Sequence, residues 1–151
     1  MSHQMEVTLE LTYFNGTAYR KAVLPIEIVI WADAGNTFET ARAITAGDQR
    51  GFVDILDDPE DYYKVWVENG QTIEMRLSPL TQYRLDFDLY LYNPSLKLVA
   101  NATEEEIVRE PEEICYTAEA SGYWYIRVVN SYSSYGWYQL SVNINESETS
   151  I

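Results

Sequence analysis

The stretch Asp86-Phe87-Asp88-Leu89-Tyr90-Leu91-Tyr92-Asn93-Pro94 alternates with a period of two. Asp86, Asp88, Tyr90 and Tyr92 take one face, and Phe87, Leu89 and Leu91 take the other. That pattern specifies a β-strand with one apolar face buried. Asn93-Pro94 ends it, because Pro has no N–H for a ladder and Asn-Pro favours a turn. A chain built around such a strand must supply a second apolar surface to cover it. It must also find partners for the two carboxylates that open it.

The same period recurs along the chain. Glu6 to Tyr13 alternates, Asn15-Gly16 is a strong hairpin signal, and a partner strand runs from Tyr19 to about Trp31. Residues 6–31 therefore read as a β-hairpin, with Pro25 at an edge or bulge. A lone hairpin is marginal in water, so this one must pack on something. Asp33-Ala34-Gly35-Asn36 reads as a loop. Thr37 to Ile44 is the one candidate helix, about two turns, with Asn36 or Thr37 as N-cap. Short strands are expected at 52–55, 62–67, 72–77, 86–92, 97–100, 113–117, 123–129 and 137–144, separated by Gly, Asn, Pro or acidic turns. The expected fold class is all-β: an antiparallel β-sandwich or jelly roll with one short helical turn and an extra N-terminal hairpin. The division expected is a leader over 1–5, the hairpin over 6–31, the sandwich over 32–145 and a flexible tail over 146–151.

Composition narrows function mainly by exclusion. The chain has 151 residues and a formal net charge of −14. Phosphates and anionic lipid surfaces need Lys and Arg partners, so nucleic acid and membrane are not expected partners. No apolar run reaches the length of a membrane span. No apolar core follows Met1 to Glu6, so no signal peptide is read there. Three sequons, at Asn15, Asn101 and Asn145, lean towards an exported glycoprotein. The single histidine, His3, lies outside the body of the chain, so a Ser-His-Asp or Cys-His set cannot assemble there. Cys115 is the only cysteine. It stands in a strand-like run and is expected to be a small buried hydrophobe.

From Asp33 to Ile144 the order of features resembles the bacterial and archaeal pre-peptidase C-terminal domain. It is also similar to collagen-binding domains of collagenases and to C-terminal jelly-roll domains of archaeal subtilisin-like proteases. The matching pieces are Asn36-Thr37-Phe38-Glu39-Thr40-Ala41, Gly51-Phe52-Val53 and Asp58-Pro59-Glu60-Asp61-Tyr62-Tyr63. The strand Asp86 to Tyr92, Gly122-Tyr123-Trp124-Tyr125-Ile126-Arg127-Val128 and Gly136-Trp137-Tyr138-Gln139-Leu140 complete the series. Residues 1–31 are not covered. The resemblance implies a non-catalytic β-sandwich attached to the catalytic domain of a secreted subtilisin-like or metallo-protease. Such a domain would act outside the cell or on its surface. It would bind Ca²⁺ and in some cases a protein substrate such as a collagen-like polypeptide.

Carried over residue by residue, the implied calcium ligands are Asp33, Asn36, Asp58 and Asp61. Ca²⁺ is hard and takes six to eight oxygens, which carboxylates and amides supply. Asp54 and Asp57 are alternative ligands beside them. Asp86 and Asp88 are a second candidate site, or a strand end neutralised by Arg84 or Arg127. The bland alternative for the first set is a solvated acidic turn with Asn36 only capping a helix. Aromatic residues mark a possible contact surface for a partner: Tyr123, Tyr125, Tyr132, Tyr135 and Trp137. Other functions consistent with these features are a carbohydrate-binding module and a structural module of a cell-surface assembly.

Overall fold

The computed structural model describes residues 3–30, 33–80, 86–103, 111–131 and 135–146. They form eleven strands: β1 (His3–Phe14), β2 (Tyr19–Ile30), β3 (Arg42–Ile44), β4 (Gly47–Asp54), β5 (Glu60–Val67), β6 (Thr72–Pro79), β7 (Phe87–Tyr92), β8 (Leu98–Ala102), β9 (Glu112–Thr117), β10 (Gly122–Asn130) and β11 (Tyr135–Asn145). Among the described residues no helix is long and apolar enough to cross a membrane. The chain divides into two compact units, Met1–Ala32 and Asp33–Ile151.

The first unit is the hairpin read from the sequence. β1 and β2 pair antiparallel in a continuous register from His3↔Ile30 to Phe14↔Tyr19. The turn between them is fastened by Asn15, whose Oδ1 accepts from the Thr17 and Ala18 amides at 3.0 Å each. Gly16 supplies the positive φ of 93° that this tight reversal needs.

The second unit is an all-β sandwich. One sheet has the order β3-β5-β10-β7-β8 and the other β4-β11-β6-β9. Alternation decides what lies between them. β7 buries Phe87, Leu89 and Leu91; β10 buries Trp124, Ile126 and Val128; β5 buries Tyr63, Val65 and Val67. Val53, Ile73, Met75, Leu77, Ile114, Tyr138, Leu140 and Val142 come from the other sheet, and all join one core cluster.

Two expectations need correction. Thr37–Ile44 is not helical: Ala41 N–H bonds Phe38 O at 3.4 Å to close a turn, and Arg42–Ile44 becomes β3. Two turns are too few to sustain a helix alone. Residues 42–44 instead gain a ladder on the edge of β5, with Arg42 opposite Tyr63. That pairing is parallel, whereas every other strand pair in the sandwich is antiparallel. Cys115 is exposed, not buried. Ile114 takes the inward position of β9, so its neighbour must face outward.

Candidate metal site

The segment Asp33–Ala41 is laid against the start of β5 by backbone bonds. Gly35 O accepts from Tyr62 N–H at 2.8 Å, and Ala34 O accepts from Arg42 N–H at 3.0 Å. Gly35 is required there twice over. Its φ is +77°, and a Cβ would overlap the Thr40 carbonyl. The Thr37 and Thr40 hydroxyls then bond each other and the local backbone, closing the turn without Asn36. Phe38 anchors the far side, with its ring edge-on to Tyr62 and Tyr92 at 4.9 Å each and to Tyr125 at 5.6 Å.

This arrangement brings Asp33 beside two carboxylates that the next segment fixes. Asp58 is held by a reciprocal pair of backbone bonds with Asp54, each 2.8 Å. Three residues later Asp61 sits on β5, completely buried at 0% exposure. One carboxylate oxygen from each of Asp33, Asp58 and Asp61 lies within 4.8 Å of the other two. Asn36 Nδ2 donates to Asp58 Oδ1 at 2.8 Å. All four residues expected as metal ligands therefore stand together, and Asn36 contacts a carboxylate rather than capping a helix. Asp54, Asp57, Asp86 and Asp88 do not join this group. Asp54 Oδ1 instead accepts from the Leu56 amide at 3.0 Å. Asp88 is not paired with Arg127. Its Oδ2 accepts from the Tyr90 hydroxyl at 3.1 Å and from Ser131 Oγ, while Arg127 forms a two-point pair with Glu60 at 2.9 and 2.6 Å. Arg84 lies outside the described residues.

Electrostatics make the cluster expensive without a cation. Burial pushes the Asp61 carboxyl up to about 7, and the charges of Asp33 and Asp58 add to this. The Tyr138 hydroxyl and the charge of Arg42 oppose it. Asp58 is also raised, first by burial and then by Asp33, with Asn36 pulling the other way. Asp61 Oδ2 accepts from Tyr138, but Oδ1 has no hydrogen-bond partner. A buried, unpaired carboxylate oxygen costs free energy unless something satisfies it. A hard divalent cation suits the vacant oxygen and its two neighbours, because it takes oxygen ligands and reverses the sign of the local charge.

The aromatic residues expected to contact a partner do not form one surface. Tyr123 and Tyr125 face outward from the five-stranded sheet, and Tyr135 and Trp137 from the four-stranded one. Tyr132 lies outside the described residues. Tyr123 is 45% exposed and meets Trp66, 51% exposed, edge-on at 5.3 Å, with Lys64 Nζ 5.6 Å from the Tyr123 ring centre. Tyr125 is half-buried against Phe38. Tyr135 and Trp137 flank Phe52 at 6.2 and 5.1 Å. Trp66 was missed as a surface residue. Its alternation with the buried Val65 and Val67 carried that signal.

Residues 59–130 match the family model described as the bacterial pre-peptidase C-terminal domain. Over that segment the chain is similar to the bacterial pre-peptidase C-terminal domain. The matched segment runs from Pro59 to Asn130, so it includes Asp61 but not Asp33, Asn36 or Asp58. The sandwich is similar in fold to the pre-peptidase C-terminal domain of a collagenase from Bacillus anthracis. The two share 20% identity at a TM-score of 0.57, over 68% of this chain and 93% of that one. The sandwich is also similar to PliG from Aeromonas hydrophila, a periplasmic inhibitor of g-type lysozyme, with 14% identity and a TM-score of 0.50, over 69% and 98% of the two chains. No curated protein matches the chain. The pre-peptidase C-terminal domain is typically an accessory domain of proteases, and the sandwich described here is similar to it in fold.

Proposed function

We propose that the sandwich is a non-catalytic, Ca²⁺-stabilised accessory module of a protease that works outside the cytoplasm. The observation that carries the calcium reading is Asp61 Oδ1, buried and without a partner, beside the carboxylates of Asp33 and Asp58. Asp33, Asp58 and Asp61 would supply charged ligands, and Asn36 would supply its amide oxygen. When bound, Ca²⁺ would offset the repulsion among three carboxylates and tie the loop before β3 to the first residues of β5. The family match supports attachment to a protease catalytic domain. The periplasmic relative and the three sequons support an exported location. A single histidine, on β1, supports a role other than triad catalysis.

Contact with a protein substrate would use the outward face around Trp66 and Tyr123. Aromatic rings that stand half-exposed beside a Lys offer apolar area and a charge together.

The test is a thermal melt in Ca²⁺ and in chelator. An ion at a hundredfold excess over its Kd stabilises by about 2.7 kcal/mol, roughly 10 °C for a domain of this size. That shift should vanish in Asp58→Ala with Asp61→Ala. A melt that does not respond to chelator rejects the calcium reading. For the surface, Trp66→Ala and Tyr123→Ala should weaken binding to denatured collagen. Binding to a glycan array instead, lost in the same variants, would assign the face to carbohydrate.

A further inference from the structure

Tyr138 belongs to β11 in the four-stranded sheet, yet its hydroxyl ends at a carboxylate of the five-stranded one. The side chain is fully buried. Its hydroxyl donates to Asp61 Oδ2 and lies 2.7 Å from the Tyr63 hydroxyl. A phenol has one proton to give. With that proton directed at Asp61, the Tyr138 oxygen accepts from Tyr63. The result is a relay two hydroxyls deep, Tyr63 to Tyr138 to Asp61, that crosses the core and stops at the acidic cluster.

The relay needs space that a side chain would fill. Gly51 on β4 is the register partner of Tyr138. A Cβ at Gly51 would overlap the Tyr138 hydroxyl and ring. Gly51 has no positive φ to explain it, so its absent side chain serves as a notch for the phenol. With Oδ2 pinned, the Asp61 side chain cannot turn freely about its bonds. Its second oxygen, Oδ1, stays buried and without a hydrogen-bond partner.

We propose that Tyr138 is a positioning residue for the cation site. It holds Asp61 by Oδ2, in the notch left by Gly51, so that Oδ1 is presented to the ion. This role rests on the calcium reading above. It makes the ion site depend on a residue from the opposite sheet, and it separates Tyr138 from Tyr63, whose hydroxyl bonds Tyr138.

The experiment is calorimetric titration of Ca²⁺ into chelator-treated full chain, for wild type, Tyr138→Phe and Tyr63→Phe, with a melt of each in chelator. Partners that orient a metal ligand typically carry ten- to a hundredfold in affinity, so Tyr138→Phe should raise the Ca²⁺ Kd roughly tenfold or more. Tyr63→Phe keeps the Asp61 contact and should raise it less. A purely structural tyrosine would lower the melting temperature in chelator and leave Kd at the wild-type value. That result overturns the proposal. Wild type gives a reading that does not depend on the variant folding. Ca²⁺ drawing charge from Asp61 should shift the near-ultraviolet tyrosine absorbance in step with occupancy, and a flat band over a saturating titration also overturns it. Wild type that takes up no Ca²⁺ overturns the calcium reading, and the positioning role with it. Wild type that binds while Tyr138→Phe binds equally well overturns the positioning role alone.

Discussion

Asp61 holds a carboxylate out of water between two others, and the chemistry of the cluster turns on it. Replacing it with Asn removes the buried charge and keeps an oxygen for Tyr138. Asp61→Asn should therefore melt higher than wild type in chelator, by an amount on the order of 1–3 kcal/mol, because an unpaired buried charge is relieved. It should also lose most of the Ca²⁺-dependent rise. Melts in chelator and in Ca²⁺ check both signs, and a lower melting temperature in chelator would count against the unpaired-charge account. Trp124 is the contrasting residue. It is among the largest side chains of the core and nearly fully buried, with its Nε1 donating to Ala120 O at 3.1 Å. Trp124→Ala should cost about 3–5 kcal/mol, measured by denaturant unfolding, with or without Ca²⁺.

Among the elements, β5 links the acidic cluster to the outward face of its sheet. Its first residues meet the acidic cluster, and its outward face begins a column of interactions running to β10 and β7. Glu60 accepts both arms of Arg127, whose guanidinium also stacks on Tyr62 at 5.9 Å and Tyr90 at 5.3 Å. The Arg127 hydrogen bonds hold the Glu60 carboxyl below its ordinary value despite partial burial. A depressed folded-state value means that the pair stabilises above the unfolded carboxyl value, near 4.5. That contribution is lost as pH falls through the lower folded value. Glu60→Gln should flatten this acid limb of a melting-temperature profile below about pH 5, by less than about 1 kcal/mol because the pair is partly solvated. The segment before β3 gives a sharper test. Gly35→Ala meets both a left-handed φ and the Thr40 carbonyl, so it should cost about 1–3 kcal/mol and weaken Ca²⁺ binding, read by melts and titration.

The strands were legible because each carries a period of two, and a half-buried strand has few other ways to read. Phe87, Leu89 and Leu91 point inward as their alternation requires. Thr37–Ile44 was not legible as turn plus strand, because what decides it is the free edge of β5, some twenty residues away. Cys115 was misread by its chemical type, although the parity with Ile114 placed it outward. Asp33, Asn36, Asp58 and Asp61 came together because the resemblance named them. Tyr138 and Gly51 left no local signal, since their relation exists only across β4 and β11. The aromatic set divided between two surfaces for a similar reason: sequence spacing does not say which sheet a strand joins.

At the scale of the molecule, charge and topology both matter. A net −14 is self-repulsive, and the carboxylate cluster of Asp33, Asp58 and Asp61 concentrates part of that repulsion. In chelator, raising NaCl from low ionic strength should raise the melting temperature by screening, and the gain should be smaller once Ca²⁺ is bound. Melts across a salt series check this, and a decline with salt would contradict it. The sheet orders β3-β5-β10-β7-β8 and β4-β11-β6-β9 are mostly non-local, so folding requires distant segments to meet before the core closes.

The outward thiol of Cys115 has a practical consequence. As the sole cysteine, on a strand of the four-stranded sheet, it is a unique chemical handle on the side of the sandwich away from Trp66 and Tyr123. Coupling a surface or a dye there would orient every molecule alike, leaving the opposite face open to a polypeptide in solution. The same exposure in an oxidising compartment would let two copies join covalently through that one sulfur, back to back.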